Sequence, residues 1–313
     1  MDTFPPREEG TALDAGKKTG HNKLILPFAG GAAGRAYKEE FSMKYGFAGT
    51  GNMAGAIIRG AIASGKIPAD HIYCADTNVE KLAAFARETG VQVTADSTAL
   101  AETVDVLVVS VKPHVVKSVL TAAREAIVGR KVLVLSIAAN VSTSNLTEYL
   151  GPENMPAIVR VMPNVNALVG AGVTALHLGE FTTGEQYAIA EALFSCVGLC
   201  VRVPEEDFNT FTAIASCSPA FSFMYIDALA RAGVKNGLHM DQAVKIAAQA
   251  VLGSAKLLLE SGKDPYTMVD QVCSPGGTTI AGVYSLQESA FPGAVMRAVE
   301  ESIRRGDEVA KKV

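Results

Sequence analysis

Small residues at close spacing give the first chemical signal in this chain. Residues 49–54 read G-T-G-N-M-A, which fits the pattern G-x-G-x-x-G/A between a predicted strand and a predicted helix. Gly49 permits a tight turn, Gly51 lets the backbone approach a diphosphate, and Ala54 allows the helix to pack closely on a sheet. The helix N-terminus then offers unpaired N–H groups to anionic oxygen atoms. The hexapeptide therefore predicts a dinucleotide-binding turn. Its contact residues are expected to be Gly49, Gly51, Asn52 and Met53.

One carboxylate has a position suited to contact with the ribose of the dinucleotide. Asp76 ends the second predicted strand, somewhat further from the glycines than the usual spacing of about 20 residues. A carboxylate there accepts hydrogen bonds from ribose hydroxyl groups and repels a 2′-phosphate. The next residues are Thr77 and Asn78, so no arginine stands beside it. The residues favour NADH over NADPH, with a solvated turn aspartate as the alternative.

The elements that must position these residues alternate between short apolar strands and amphipathic helices. Strands are predicted over 44–48, 71–75, 105–111, 131–138, 157–162, 173–178 and 199–203, and helices over 53–64, 79–88, 115–127 and 184–196. Two of the strands are nearly unbroken runs of Val, Leu and Ile, which is typical of strands buried on both faces of a parallel sheet. Strict alternation predicts a doubly wound α/β, Rossmann-type nucleotide-binding domain over residues 43–204, with right-handed crossovers.

After Pro204 the strand pattern stops and the chain becomes helical. Helices are predicted over 208–232, 241–261, 265–272 and 292–311, with another beginning near Thr278. Residues 246–259 are apolar nearly all round, and a helix without a polar face must be buried on most sides. Because a helical domain of this size (residues 205–313) offers little interior, we expect a second subunit to cover this helix and form at least a dimer.

Composition narrows the protein class. The 313 residues are 49% hydrophobic and 19% charged, with a net charge of −4, which describes a globular protein and gives no reason to expect nucleic acid as a partner. The five cysteines form no CxxC pair, and no histidine completes a metal set, so reduced thiols and no metal site are expected. No uninterrupted apolar run suggests a membrane span and no signal peptide is recognised. These features predict a cytoplasmic protein.

Residues 1–42 differ from the rest of the chain. They mix prolines, a Gly/Ala stretch at 29–34 and scattered charge, without a sustained helical or strand period. Met43 then opens a strand at once, and the codons of Lys38, Glu39 and Glu40 could resemble a ribosome-binding sequence. Our hypothesis is that 1–42 is a misread, disordered leader and that Met43 is the true start. A flexible tail or an expression leader is the alternative.

Several blocks together resemble one enzyme family. The block S-P-G-G-T-T at residues 274–279 (the SPGGTT segment) follows K-L-L-L-E-S-G at 256–262. S-V-K-P at 110–113, S-I-A-A at 136–139 and R-V-M-P-N at 160–164 precede them in the chain. With the glycine turn, these blocks closely resemble the pyrroline-5-carboxylate reductases, in the family's order and across residues 43–313. The SPGGTT segment is the distinctive one.

The resemblance implies a reaction and a set of site residues. It implies reduction of 1-pyrroline-5-carboxylate to L-proline, the last step of proline biosynthesis, with NADPH or NADH acting on a C=N bond. It implies a homodimer, which in many members stacks into larger rings. The nicotinamide side of the cofactor site should be lined by Val111, Lys112, Pro113, Ile137, Ala138 and Ala139. The substrate should be bound by Ser274, Gly276, Gly277, Thr278 and Thr279. Thr279 is the expected catalytic residue, with its hydroxyl at the carboxylate or near the imine nitrogen.

Three positions depart from the family's usual residues. Asn140 stands where the family usually has Gly, and Val165-Asn166 stand where it usually has Thr-Pro. Residues 215–217, Ala-Ser-Cys, stand where it usually has Ser-Gly-Ser. The last two departures lie near the expected active site and bear on substrate affinity and specificity.

Two other functions remain open from the residues. A β-hydroxyacid dehydrogenase shares the two-domain plan and uses a lysine of its helical domain as an acid. Lys256 is the candidate here, although a lysine at one edge of an apolar helix is more often a surface residue. A non-catalytic nucleotide-sensing protein on the same scaffold is the second alternative, because a fold alone does not establish activity.

Overall fold

The structure, a computed structural model, describes residues 43–310. The predictions made for residues 1–42, including the leader hypothesis, lie outside the described residues, as does the predicted helix end at residue 311. Within the described range, the strands lie between residues 45 and 202, and the chain from residue 205 onward is helical.

The first part of the described chain forms one eight-stranded sheet with the strand order β3-β2-β1-β4-β5-β6-β7-β8. Strands β1 to β6 run parallel. The strands are β1 (Tyr45–Ala48), β2 (Ile72–Ala75), β3 (Gln92–Val93), β4 (Val106–Val109), β5 (Leu133–Ser136), β6 (Ile158–Met162), β7 (Gly172–Leu178) and β8 (Gly198–Arg202). Every residue of the central strands β1, β4 and β5 is buried, and for β4 and β5 the apolar runs at 105–111 and 131–138 predicted this.

Helices cover both faces of this sheet. They are α1 (Asn52–Ala63), α2 (Val79–Thr89), α3 (Ser97–Thr103), α4 (Pro113–Arg130), α5 (Thr143–Leu150) and α6 (Gly184–Phe194). Buried side chains of α1, α2 and α6 form one core against the sheet. Those of α3, α4 and α5 form a second core. Two cores separated by a mostly parallel sheet are the doubly wound arrangement, so the predicted fold class is confirmed.

Strict alternation of strand and helix is wrong at one place. Between β6 and β7 the chain has only a short 3-10 turn at Val165–Val169, and β7 pairs antiparallel to β6. A parallel return requires a crossover of a dozen or more residues, so this short connection can only reverse the chain. Three short elements were also not predicted: β3, α3 and α5.

Glycines bring α1, β7 and β8 into close contact. Gly198 begins β8 with φ of 147° and pairs with Gly172, which begins β7. A Cβ atom on Gly198 would lie 2.0 Å from the carbonyl oxygen of Gly172. In α1, a Cβ atom on Gly60 would lie 2.3 Å from Cγ1 of Val197. The helix after the glycine turn therefore packs against the reversed end of the sheet with no room for added side chains.

The rest of the described chain is helical. Its elements are α7 (Phe208–Phe211), a π-helical segment (Thr212–Cys217), α8 (Ser218–Lys235), α9 (Met240–Ser261), α10 (Pro265–Val272), α11 (Thr278–Glu288) and α12 (Phe291–Ala310). The sequence predicted one helix over 208–232, and the π-helical segment interrupts it. A π-helical turn contains one residue more than an α-helical turn, and such segments occur often at functional sites.

The helical part leaves many large apolar side chains exposed. Phe223 and Met224 on α8, Leu259 on α9 and Tyr266 on α10 are all more than 60% exposed. The helical run Glu205–Lys235 is also long and apolar enough to cross a bilayer by length and composition alone, with 22% of its apolar window buried. Helices that another subunit covers meet the same criterion, so this feature by itself is weak evidence for a membrane span.

Candidate functional site

The glycine turn connects the ends of three central strands. Gly49 has φ of 99°, and its N–H donates to the carbonyl oxygen of Ala75 at 2.8 Å. A Cβ atom on Gly49 would lie 2.8 Å from the carbonyl oxygen of Ser110, so this position needs glycine. The Ser110 hydroxyl donates back to the carbonyl oxygens of Ala48 and Gly49. These bonds hold the turn at the carboxyl ends of β1, β2 and β4, where open α/β sheets bind ligands.

The turn leaves room and unpaired donors for a diphosphate. Among the described residues, no atom outside Gly51 and its immediate chain neighbours lies within 4 Å of a Cβ atom built on Gly51. Gly51 is the N-cap of α1, no side chain caps this helix, and its first turn contains no acidic residue. The first N–H groups of a helix have no acceptor within the helix and carry its positive dipole end. The residues present therefore fit a dinucleotide.

A cleft of about 820 Å³ lies along this edge of the sheet. Its lining contains every residue for which the sequence predicted cofactor contact: Gly49, Gly51, Asn52, Met53, Asp76, Val111, Lys112, Pro113, Ile137, Ala138 and Ala139. The glycine turn, the end of β2, the S-V-K-P turn and the end of β5 are thus brought together along one continuous surface. The assignment of each residue to a part of the cofactor stays a prediction.

Asp76 is held firmly at one end of this cleft. Its Oδ2 accepts hydrogen bonds from the Thr50 N–H at 2.7 Å and the Thr50 hydroxyl at 2.8 Å. Its Oδ1 accepts from the Asn78 N–H at 3.0 Å. Burial raises the pKa of Asp76, but these hydrogen bonds and the charge of Lys81 outweigh burial, so its pKa lies below the ordinary value. Asp76 is therefore a fixed, ionised carboxylate at neutral pH.

Sequence reasoning missed several residues of the cleft. Lys81 on α2 lines it, as do residues 95–97 at the start of α3, Met162 at the end of β6 and the following Pro163. The start of α3 had a recognisable signal, because the Asp96 side chain caps the helix by accepting from the N–H groups of Thr98 and Ala99. Met162 and Pro163 belong to the R-V-M-P-N block quoted for the family resemblance, but no local pattern placed them at the cofactor site, since their place depends on the strand order.

The first departure from the family pattern has a backbone explanation. Asn140 follows the end of β5 with φ of 61°, in the left-handed region. Asparagine is one of the few residues other than glycine that adopt this region readily. Asn140 can therefore replace glycine here without changing the course of the chain beside Ala139 and the cleft.

A network of hydrogen bonds joins the sheet to the start of the helical part. Arg160 on β6 donates from Nη1 to Glu205 at 2.9 Å, and its guanidinium lies 4.4 Å from the centre of the Phe208 ring. Glu205 also accepts from the N–H and hydroxyl of Thr143, at the start of α5. Burial raises the pKa of Glu205, but the bonds from Thr143 and Arg160 outweigh burial, so the pKa lies below its ordinary value. The acid is thus ionised and ties the two parts together.

Asn164 forms a second connection between the two parts. This residue is 3% exposed, and its Oδ1 accepts from the Val173 N–H at 3.0 Å. Its Nδ2 donates to the carbonyl oxygen of Ala215 at 2.9 Å. Ala215 lies in the π-helical segment, so the Asn164 side chain bridges β7 and the interrupted helix. Because Met162 and Pro163 immediately precede it, the same residue positions one wall of the cleft.

The SPGGTT segment forms the predicted turn into a helix. Gly276 has φ of 68°, Gly277 is the N-cap of α11, and Thr278 is the first helical residue. Gly277 was expected among the substrate-binding residues, but its N–H donates to the carbonyl oxygen of Ser274 at 3.0 Å and is not free for an anion. The N–H groups of Thr278 and Thr279 remain, because the first N–H groups of a helix have no acceptor within it.

The SPGGTT segment does not line the cleft within the same chain. Ser274, Gly276, Thr278 and Thr279 are exposed, and Gly277 is half-buried. The structure therefore brings the predicted cofactor residues together but leaves the predicted substrate residues on the surface of the helical part.

Other ionisable groups show no competing catalytic arrangement in the described residues. Lys256 is 71% exposed and forms an ion pair with Glu260 on the same helix, as expected for a surface lysine. Burial raises the pKa of the Cys74 thiol to about 12, so this cysteine stays protonated. The rings of His71 and His177 contact backbone carbonyl oxygens. No group of three or more potential metal ligands is found in this part of the chain.

Comparison with family models finds two matches. Residues 205–309 match the model described as pyrroline-5-carboxylate reductase dimerisation. Residues 44–140 match the model described as NADP oxidoreductase, coenzyme F420-dependent. The first match spans the helical part, including the SPGGTT segment, and the second spans the glycine turn and the ends of β2, β4 and β5.

Comparison with whole proteins and solved structures gives full-length similarity. A pyrroline-5-carboxylate reductase of Arabidopsis thaliana is 38% identical over 86% of this chain and 96% of that protein. That of Escherichia coli is 37% identical over 86% of this chain and 98% of its own length. A Coxiella burnetii reductase structure has a TM-score of 0.81 at 32% identity, covering 85% of this chain and 98% of that one. A Plasmodium falciparum structure with NADP bound has a TM-score of 0.74 at 28% identity, covering 86% and 99%.

Proposed function

The chain belongs to the pyrroline-5-carboxylate reductase family, and from its site we propose how the reaction is divided between two subunits. It is an NAD(P)-dependent oxidoreductase of proline biosynthesis whose substrate is 1-pyrroline-5-carboxylate. The cleft of one subunit binds and orients the cofactor. The SPGGTT segment of the second subunit holds the substrate carboxylate over the nicotinamide end of that cleft.

The reaction is the reduction of a cyclic C=N bond to an amine. A bound reduced nicotinamide supplies a hydride. The imine nitrogen must be protonated first, so that the ring carbon can accept the hydride. The C=N double bond then becomes a C–N single bond, and the substrate has gained one proton and one hydride. Because protonation of the imine occurs readily near neutral pH, the protein needs to orient the substrate and exclude water more than to donate a proton. This requirement agrees with the absence of histidine from the described residues that line the cleft.

The substrate carboxylate is the group that the protein must hold. The first turn of α11 contains no acidic residue, and no side chain in the described range 43–310 caps its N-terminus. The N–H groups of Thr278 and Thr279 can therefore donate to a carboxylate, with the Thr279 hydroxyl as a third donor. The positive φ of Gly276 shapes the turn that precedes them.

A second subunit is needed to complete the site. The SPGGTT segment is exposed on the helical part, and the cleft lies at the edge of the sheet. The helical part carries the family's dimerisation region, so the chain forms homo-oligomers. We propose that the exposed apolar side chains of α8, α9 and α10 are covered in a dimer that brings the SPGGTT segment of one copy to the cleft of the other. A higher ring, a cytoplasmic location and the absence of membrane and nucleic-acid partners are part of the same proposal.

The alternative functions lose their main support. A hydroxyacid dehydrogenase would need Lys256 as its acid, and that lysine is exposed and paired with Glu260. A purely nucleotide-sensing protein would have no use for an intact carboxylate-binding segment. The observation that carries the proposed function is the coexistence of the complete cleft with the intact SPGGTT segment.

Substitution of Thr279 tests this assignment. We expect Thr279→Ala to lower kcat/KM for pyrroline-5-carboxylate about tenfold to a hundredfold, because one positioned donor is lost. The affinity for the cofactor should stay near that of the unchanged protein. Thr279→Ser keeps the hydroxyl and is the matched control, which should retain most of the activity. Steady-state kinetics with the imine and fluorescence titration of the cofactor measure both quantities.

Gly277→Val gives a second test of the same segment. A Cβ atom on Gly277 would lie 2.2 Å from the Ser274 hydroxyl and 3.1 Å from the Ser274 carbonyl oxygen, so valine must displace the Ser274 side chain and crowd the turn, and it should reduce activity more than Thr279→Ala. Wild-type kinetics in both Thr279→Ala and Gly277→Val would remove the SPGGTT segment from the site.

A further inference from the structure

The connection between β6 and β7 places three apolar side chains on the surface. Val165, Leu168 and Val169 are 44%, 58% and 80% exposed, and all belong to the 3-10 turn Val165–Val169, here called the rim loop. From residue 161 to residue 176 the sequence contains no Asp, Glu, Lys or Arg. Apolar patches that stay exposed on a folded domain are typical of interaction sites.

Internal contacts hold the backbone of the rim loop in place. Ala167 is 3% exposed and belongs to the core that α1 shares with the sheet. The Ala167 N–H donates to the carbonyl oxygen of Asn164, and the Ala171 N–H donates to that of Asn166, both at 3.1 Å. Gly170 ends the turn with φ of 69°. Because the turn is already ordered, a partner that binds its apolar side chains has little backbone ordering to offset.

The rim loop borders the end of the cleft that lies away from Asp76. Met162 and Pro163 line the cleft, and the loop follows directly after Pro163 and Asn164. In the sheet, β6 lies beside β5, on the other side of β1 from β2. With the diphosphate at the glycine turn after β1, this is the nicotinamide end. The substrate site proposed above therefore lies next to the rim loop.

Helix α11 extends the SPGGTT segment with a matching apolar side. Ile280 and Tyr284 are both exposed, and residues four apart lie on the same side of a helix. Val272, just before the segment, is also exposed. Residues 271–287 contain no Asp, Glu, Lys or Arg. The surface around the SPGGTT segment is thus as free of charge as the rim loop.

We propose that the rim loop is a docking surface for a second copy of this chain and contacts the side of α11 that carries Ile280 of the partner subunit and the partner's Tyr284. This inference rests on the dimer proposed above and adds the part of the sheet domain on which the SPGGTT segment is seated. The two family-model matches, residues 44–140 and 205–309, lie on either side of the loop and do not include it.

A second copy suits this position better than an unrelated protein. Helix α11 lies within the dimerisation region of the family. A different protein on the rim loop would occupy the border of the cleft and obstruct the SPGGTT segment of the partner. The contact fixes that segment beside the wall formed by Met162 and Pro163. Binding of the imine should therefore depend on the rim loop, whereas binding of the cofactor should not.

A charge placed on the rim loop tests this dependence. Leu168→Glu should lower kcat/KM for pyrroline-5-carboxylate at least about tenfold, mainly by raising KM, because a glutamate is desolvated against an apolar helix. The Kd for NADPH, read from cofactor fluorescence, should stay within about twofold of wild type, which also shows that the sheet domain is folded. Leu199→Glu is the matched control: Leu199 is 59% exposed on the edge strand β8, and its kcat/KM should stay within about twofold of wild type.

Chemical cross-linking tests the identity of the partner surface. Cys273 directly precedes the SPGGTT segment, so it reports the position of that segment. In Val169→Cys, a short bis-maleimide should join the new thiol to Cys273 of the partner subunit and give a band of twice the subunit mass on a denaturing gel. Wild type treated in the same way gives the background. Adding Cys273→Ser to Val169→Cys should return the band to that background.

Each result decides the proposal. It is overturned if Leu168→Glu is as active as Leu199→Glu, if Val169→Cys gives no band above background, or if the band persists without Cys273. Light scattering that shows Leu168→Glu to be monomeric would also support the loop as an interface. If wild type did not reduce the imine, the proposed function itself would be wrong. If Thr279→Ala loses activity while Leu168→Glu keeps it, the rim-loop contact alone is wrong.

Discussion

Replacement of the polar residue Asn164 by alanine should lower the free energy of unfolding more than most substitutions of polar residues do. Asn164 is 3% exposed and makes two hydrogen bonds, one from the Val173 N–H and one to the Ala215 carbonyl oxygen. Ala215 is 7% exposed and Val173 is half-buried, so alanine would leave two interior backbone groups without a partner. A buried unsatisfied group costs about 1–3 kcal/mol. With partial access of water to Val173, we expect a loss of about 2–4 kcal/mol in the free energy of unfolding.

Urea denaturation at a fixed protein concentration measures this loss, because the stability of an oligomer depends on concentration. Asn166→Ala is the matched control: among the described residues its side chain has no hydrogen-bond partner, and it should change stability by less than about 0.5 kcal/mol. Asn164→Asp keeps the acceptor for Val173 but places a carboxylate oxygen against the Ala215 carbonyl, so it should be at least as damaging as alanine. A loss below about 1 kcal/mol in Asn164→Ala would show that this bridge contributes little.

Two further predictions concern the surroundings of the cleft. Asn140→Gly should leave stability unchanged or raise it slightly. Asn140→Ala should lower the free energy of unfolding by about 1 kcal/mol, because alanine adopts the left-handed backbone of this position poorly. Thermal or urea unfolding of the two variants measures the difference. Equal stability of the two variants would contradict this reason. Glu205→Gln should lower stability by about 1–3 kcal/mol at pH 7, because Arg160 and Thr143 lose an ionised partner. Since folding lowers the pKa of Glu205, its contribution is complete above the ordinary value of 4.5 and is lost as pH falls below that value. The difference between wild type and Glu205→Gln should therefore shrink in acid, and a difference that grows below pH 4.5 would refute the assignment.

The sequence predicted the nucleotide-binding domain well wherever a feature depends on residues that are close together in the chain. The glycine turn, the buried strands and the following helix each follow from residue type and period, and Gly49 and Gly51 lie as predicted at the edge of the sheet. The reversal at β7 was missed because strand direction is not encoded in an apolar run. The short connection with the 3-10 turn Val165–Val169 was the available clue, since it is too short for a parallel return.

The remaining differences come from contacts between distant parts of the chain. Met162 joins the cleft because β6 lies beside β5, and Lys81 joins it because α2 begins beside the end of β2. The π-helical segment contains Ala215, whose carbonyl oxygen accepts a hydrogen bond from Asn164, 51 positions earlier in the chain. No local sequence pattern could show this contact. The SPGGTT segment formed its predicted turn, but its relation to the cleft could not be predicted from local pattern, because in the proposed dimer it involves a second copy of the chain.

The close packing around Gly60, Gly172 and Gly198 affects how amino-acid substitutions in this protein should be interpreted. A Cβ atom at Gly198 would meet backbone that cannot move aside, so every replacement there should be rejected in a selection for proline prototrophy. These glycines lie where α1 packs against β7 and β8, whereas the SPGGTT segment lies in the helical part. In a map of tolerated substitutions they would look as essential as Thr279. Soluble yield would separate the two groups, because replacements of the glycines lose the folded protein, whereas Thr279→Ala leaves abundant, folded enzyme with a reduced kcat/KM.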